Sequence, residues 1–170
     1  IKYGVIKDQT FLNKINCWLD DIESFPYSEA IIKSCEIKSK IISEDEHEDD
    51  LRKILNFGHT IGHALEAYFG FGTIRHGEAV AYGMICAGWI SREIGSFSDK
   101  EYQKLSKIIK KLPLPKIKKF DPNRLINYMK TDKKNEIGEF CFILLNKIGD
   151  AKVVYKISEK IIIRSLENLK

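Results

Sequence analysis

"LNFGHTIGHALEAYFGFGTIRHGEAVAYGM", residues 55–84, carries three of the chain's four histidines, and its periodicity decides the fold. Apolar residues recur at helical spacing on both sides of the break Gly70-Phe71-Gly72-Thr73, so the stretch reads as two helices joined by a glycine-rich turn. The first is predicted over about 49–69, with a bend near Gly58. The second, over about 77–94, is apolar or small nearly all round and is expected to be the central buried helix. Its Ala79, Gly83 and Ala87 fall at i, i+4 and i+8, a stripe against which another backbone can approach closely.

Working outward, residues 8–23 place Phe11, Leu12, Ile15, Trp18, Leu19 and Ile22 on one helical stripe that Pro26 ends. A helix over 28–43 follows, with Ser28 as its expected N-cap. The acidic run "EDEHEDD" (44–50) reads as a loop or helix start. Ser98 caps a basic helix that stops before "LPLP" (112–115), and a short helix runs from Pro122 to Lys130. "GEFCFILLNKIGDAKVVYK" (138–156) is the clear β signal, two β-branched or aromatic runs turning around Lys147-Ile148-Gly149-Asp150. A last helix is expected over about 158–169. The predicted fold class is therefore mainly α: one bundle-like helical domain over residues 1–170 with a single short antiparallel β-hairpin.

Composition bounds the function classes. The chain has 170 residues, 44% hydrophobic and 31% charged, enough for one domain with a real core. No apolar run approaches the roughly 20 residues that span a bilayer, and no signal peptide opens the chain, so a cytoplasmic location without membrane attachment is expected. The opening Ile1-Lys2-Tyr3-Gly4 reads as the middle of something, which predicts a fragment of a longer protein. Cys17, Cys35, Cys86 and Cys141 form no C-x-x-C pair; the first three lie in apolar helical patterns and are expected to act as small hydrophobes. Residues 100–134 carry twelve Lys and Arg against three acids, but Leu105, Ile108, Ile109 and Leu112 line the opposite face. A solvated helix face explains that better than nucleic-acid binding, whose aromatic interleaving is missing.

The histidines hold the chemistry. His59 and His63 stand four apart on one helix and can line one cavity, while His76 opens the next helix across the break. Two helices meeting there can bring His59 and His76 around a cation. The Glu of H-E-x-x-H is missing from His59-Thr60-Ile61-Gly62-His63, so spacing alone leaves a metal site and ordinary satisfied histidines both open. Arg52, Asn56, His59 and His63 follow at steps of four, three and four, a continuous polar stripe expected to face inward. The Arg guanidinium fork suits a phosphate or carboxylate, so the stripe reads as anion binding beside metal binding.

"LRKILNFGHTIGHALE" followed by "HGEAVAYGM" resembles the signature of 3-dehydroquinate synthases. So do "IKYGVIKD", "KSKIISEDEHEDDLR" and "MKTDKKNEIGEFCFILLNKIGDA", in order over nearly the whole chain. The resemblance is to that family's C-terminal helical domain. It implies a lyase of the shikimate pathway, leading to chorismate and aromatic amino acids, that turns 3-deoxy-D-arabino-heptulosonate 7-phosphate into 3-dehydroquinate and phosphate. NAD oxidises and re-reduces the substrate around phosphate elimination, followed by ring opening and an aldol-type closure. It further implies a divalent metal, zinc or cobalt, and NAD held mainly by an N-terminal α/β domain absent from this chain, in a homodimeric whole. The implied metal ligands are His59 and His76, with a third, a Glu, expected just upstream of Ile1. Lys2, Lys38, Arg52, Asn56 and one of Lys133 and Lys134 match positions that hold the sugar phosphate. His63 matches a substrate-contacting histidine suited to proton handling, and Glu48 an acid near the catalytic lysines; His47 has no implied role.

Other sugar-phosphate cyclases share the metal histidines, and glycerol-type metal-dependent dehydrogenases are more distant. Arg52-x-x-x-Asn56 and Asp132-Lys133-Lys134 favour the dehydroquinate reading. A helical nucleic-acid module through residues 100–134 is the alternative from another class.

Overall fold

Gly83 sits so close to the neighbouring helix that a Cβ built on it would lie 1.9 Å from the Gly58 carbonyl oxygen and 3.0 Å from the Gly62 nitrogen. That crossing organises the computed structural model, which describes residues 1–45, 51–70, 72–131 and 140–169. Among the described residues eight α-helices run in chain order: α1 (Lys2–Ile6), α2 (Gln9–Trp18), α3 (Tyr27–Glu44), α4 (His59–Phe69), α5 (His76–Glu93), α6 (Asp99–Lys110), α7 (Pro122–Thr131) and α8 (Glu159–Glu167). A 3-10 turn, Leu51–Asn56, precedes α4, and a two-stranded sheet of β1 (Phe142–Lys147) and β2 (Asp150–Val154) separates α7 from α8. Among the described residues no helix is long and apolar enough to cross a membrane.

α5 is the axle. Every residue from Gly83 to Ser91 is buried, and α4, α6, α8 and β1 pack around it. Gly88 gives α6 the same kind of access, since a Cβ there would meet Leu105 Cδ2 at 2.7 Å. On α6, Tyr102, Leu105, Ile108 and Ile109 are buried while Lys100, Lys107 and Lys110 are exposed, the amphipathic division expected of the basic segment.

One buried polar residue ties sheet to axle. Ser91 accepts the backbone N–H of Leu145 at 2.9 Å and donates to the Ala87 carbonyl at 2.7 Å. Ser96 donates to the Leu145 carbonyl at 2.9 Å, so both polar groups of that β1 residue are satisfied from the α5 end. β1 pairs antiparallel with β2 from Phe142↔Val154 to Leu145↔Ala151, then slips by a bulge before Lys147↔Asp150. Past the bulge the turn reaches two helices: Gly149 N–H donates to the Val5 carbonyl of α1 at 2.7 Å, and Ile148 N–H to Glu101 of α6 at 3.0 Å.

Four sequence expectations are corrected or refined. The helix predicted over 8–23 is capped by Asp8 as its start requires, but ends at Trp18, and Ile22 is 45% exposed. The Asp21 carboxylate accepts from Glu23 N–H and Ser24 Oγ, a local turn that competes with helix extension. α3 begins one residue before the expected Ser28 cap, with Pro26 at the cap position and its carbonyl accepting Ala30 N–H at 3.0 Å. The bend expected near Gly58 in the helix over 49–69 is a full break into a 3-10 turn and α4, because Gly58 adopts a left-handed φ of +81° that only glycine takes without strain. Of the three cysteines expected as core fillers, Cys86 is buried, whereas Cys17 and Cys35 are exposed.

Gly83→Ala should lower unfolding stability by about 3 kcal/mol in a denaturant titration, because the methyl group meets backbone that cannot move aside. Gly77→Ala, where a Cβ meets nothing within 4 Å, should be neutral or stabilising by up to about 1 kcal/mol. Burial pushes the Cys86 thiol up to about 12, so iodoacetamide should label Cys17 and Cys35 in the native protein and Cys86 only after unfolding.

Candidate functional site

The α4–α5 crossing places the first residue of each helix beside the other. His59 opens α4 directly after the left-handed Gly58, and His76 opens α5 after Arg75. The Arg75 N–H donates to Glu78 Oε2 at 2.8 Å, which fixes the first turn of α5 and with it the His76 backbone. His63 lies one turn along α4. The three imidazoles form a near-equilateral triangle, with ring centres 5.5 Å apart for His59 and His63, 5.3 Å for His59 and His76, and 5.8 Å for His63 and His76.

Two hydrogen bonds set how these rings present themselves. His59 Nδ1 lies 3.2 Å from the Phe57 carbonyl oxygen, and His76 Nδ1 lies 3.1 Å and 3.3 Å from the two Glu66 carboxylate oxygens. A carbonyl can only accept, so His59 carries its proton on Nδ1 and leaves the Nε2 lone pair available. Burial, with the Lys2 charge second, lowers the His59 pKa to about 4, so the ring is neutral across the physiological range.

Lys2, on α1, lines a cavity of about 390 Å³ together with His59 and His76, against an apolar wall that includes Phe25, Val80 and Met84. Burial lowers the Lys2 pKa, and the nearby positive charge of Lys38 on α3 lowers it further, so the two ammonium groups share one electrostatic neighbourhood. Arg52 is exposed and Asn56 half-buried on the 3-10 turn, with the Arg52 backbone N–H held by Asp45 Oδ2 at 2.9 Å. The inward-facing stripe on a single helix is thus corrected. Gly58 divides it between the 3-10 turn and α4, and Arg52 at its far end reaches solvent. Glu48, Lys133 and Lys134 lie outside the described residues, as does His47.

Sequence reasoning missed Glu66. It extends the stripe by one more step of three, after His63, and its side chain is only 12% exposed. Ligand atoms of His63, Glu66 and His76 all lie within 4.8 Å of one another. Imidazole nitrogens with a carboxylate oxygen are a donor set suited to zinc or cobalt, so the residues present fit a divalent metal.

Residues 1–135 match the family profile described as 3-dehydroquinate synthase C-terminal. The chain is 38% identical over its full length to a 3-dehydroquinate synthase of Crocosphaera subtropica, and covers 48% of that protein. It is 39% identical over 95% of its length to a 3-dehydroquinate synthase of Thermoanaerobacter pseudethanolicus, and covers 47% of it. It therefore spans about half the length of the curated relatives it matches. Among solved structures, 2-deoxy-scyllo-inosose synthase complexed with carbaglucose-6-phosphate, NAD+ and Co2+ is similar with a TM-score of 0.69 and 27% identity, over 82% of this chain and 40% of that one. ValA, the 2-epi-5-epi-valiolone synthase of Streptomyces hygroscopicus with NAD+ and Zn2+ bound, shares the fold with a TM-score of 0.84 and 20% identity, over 99% of this chain and 48% of that one.

The depressed His59 pKa has a sign that can be checked. Between pH about 6.5 and about 4 the unfolded chain takes up a proton at this position that the folded chain refuses. Stability present above that window is therefore lost as pH falls through it. His59→Asn should show a smaller drop in urea midpoint across the window than wild type, and the His59 ring resonances should titrate near pH 4.

Proposed function

The chain belongs to the 3-dehydroquinate synthase C-terminal family, and we propose that it forms the substrate- and metal-binding half of an enzyme converting 3-deoxy-D-arabino-heptulosonate 7-phosphate to 3-dehydroquinate and phosphate. The observation that carries the proposal is the triangle of His59, His63 and His76 beside the partly buried Lys2. Its occurrence in a chain 38–39% identical to synthases of that name supports this substrate over those of the more distant cyclases.

In this reading His59 and His76 hold the metal, with a carboxylate from the preceding part of the enzyme completing the set. The bound ion supplies Lewis acidity toward the vicinal hydroxyls of the sugar, and NAD, assigned to the half that the chain does not span, supplies hydride transfer. Everything else falls to this chain. Lys2 places a cation at the cavity, with the charge of Lys38 close enough to act on it; the pair suits the substrate's carboxylate and oxygens, and the partial burial of Lys2 strengthens its hold on an anion. Arg52, exposed, and Asn56, half-buried, stand on the 3-10 turn that leads into α4, where a guanidinium fork can take a phosphate from water. His63 faces the same space as the metal histidines and is placed to accept or return a proton at a substrate hydroxyl. Lys133, Lys134 and Glu48 are assigned to the same substrate on the motif register alone.

The experiment joins this chain to the NAD-binding half, supplies NAD and Zn2+, and follows phosphate release from the heptulosonate 7-phosphate. His59→Ala should lower turnover by at least about 100-fold. Arg52→Ala should lower kcat/KM by about 10- to 100-fold, the value of a lost charge-assisted hydrogen bond. Release unaffected in both variants would remove the site. No release from the wild type, with cyclisation of another sugar phosphate, would move the substrate and keep the site.

A further inference from the structure

We propose that Glu66 is a positioning residue: its carboxylate accepts the Nδ1 proton of His76 and so commits Nε2 of that ring to a divalent metal. The inference rests on the metal reading above and adds a residue to it.

The geometry is specific. Glu66 Oε2 and Oε1 lie 3.1 Å and 3.3 Å from His76 Nδ1, a two-oxygen clasp on one ring nitrogen. Glu66 is seven residues after His59 and three after His63 on α4, so it emerges on the histidine face rather than at random. Its side chain is 12% exposed while that of His76 is 55% exposed. The buried, helix-anchored partner is therefore the fixed one, and the exposed ring is the one being oriented. A histidine side chain free in water favours the proton on Nε2, so an acceptor at Nδ1 decides the tautomer.

His59 is held in the same sense by a different group. Its Nδ1 is 3.2 Å from the Phe57 carbonyl, so both rings expected to bind metal have Nδ1 occupied by an acceptor and Nε2 left open. Two independent acceptors producing one outcome on two helices is the pattern of outer groups that orient metal-binding histidines. His63, Glu66 and His76 also have ligand atoms within 4.8 Å of one another, which admits a competing arrangement with Glu66 itself on the ion. The clasp opposes that arrangement, because a carboxylate engaged with Nδ1–H on the far side of the ring from Nε2 is directed away from where that nitrogen points.

The test needs no turnover. Long-range 15N–1H correlation spectra of the metal-free protein should show His59 and His76 both protonated at Nδ1. In Glu66→Ala, His76 should shift to the Nε2-protonated form while His59 is unchanged. Zinc affinity of the chain joined to the NAD-binding half, measured by chelator competition, should fall by about 10- to 100-fold in Glu66→Ala and by less in Glu66→Gln, which keeps an acceptor. The Co2+ visible absorption spectrum of Glu66→Gln should keep its wild-type band positions, since no ligand is replaced. An unchanged His76 tautomer, or unchanged zinc affinity, in a folded Glu66→Ala overturns the proposal. A Glu66→Gln loss equal to that of Glu66→Ala, with shifted Co2+ bands, overturns it in favour of direct ligation. A wild type that binds no zinc while His76 keeps its Nδ1 proton would instead remove the metal reading, and with it the purpose given to Glu66.

Discussion

The absence of a side chain at Gly83 is the constraint on which the rest of the molecule depends. With the carbonyl oxygen of Gly58, the cap residue just before α4, seated 1.9 Å from where a Cβ would stand, the two helices meet backbone to backbone. Gly62 continues the contact, its own missing Cβ lying 3.1 Å from Val80 Cα. A crossing this close brings helix starts together as well as helix flanks. His59 and His76 come from segments seventeen positions apart, yet their rings are 5.3 Å centre to centre, because each is the first residue of a helix packed at that crossing. Rigid elements hold a constellation more tightly than loops can.

The electrostatics of the site follow from what that packing buries. Burial together with the Lys2 charge keeps the His59 imidazole neutral. Lys2 and Lys38 repel, which lowers the cost of bringing in an anion that neutralises both. The positive charge at this pocket favours a negatively charged, oxygen-rich ligand. Apolar residues such as Phe25 and Met84 close its back wall and limit the water that would otherwise screen those charges.

Much of this was legible in the sequence where one period governs a whole element. The all-round apolar character of 77–94, the Gly83 close approach, the Ser98 cap and the hairpin turn at 147–150 all correspond to observed features, because each depends on local chemistry. Legibility failed where two local rules compete. Ile22 continues a helical stripe, but Asp21 forms its own turn; the bend expected near Gly58 is present, but as a complete break of the helix. Among site residues, the approach of His59, His63 and His76 could be anticipated from spacing across a glycine break. Glu66 could not, since a lone glutamate on a helix is ordinary until the structure shows which ring it touches. Ser91 escaped for the same reason: its value lies in an N–H contributed by a strand more than fifty residues away.

The hairpin carries a consequence for how such a domain is delimited. The family profile stops at residue 135, and every site residue named above precedes that point. Yet Leu144 and Leu145 are fully buried, and the turn that follows them donates to the Val5 carbonyl, on the short helix that carries Lys2. The segment that the family profile spans is therefore smaller than the segment that packs as one body. Recombining or swapping this domain at the edge of the recognisable motif would sever the brace from the helix it braces, leaving every chemical group present and one of them unsupported.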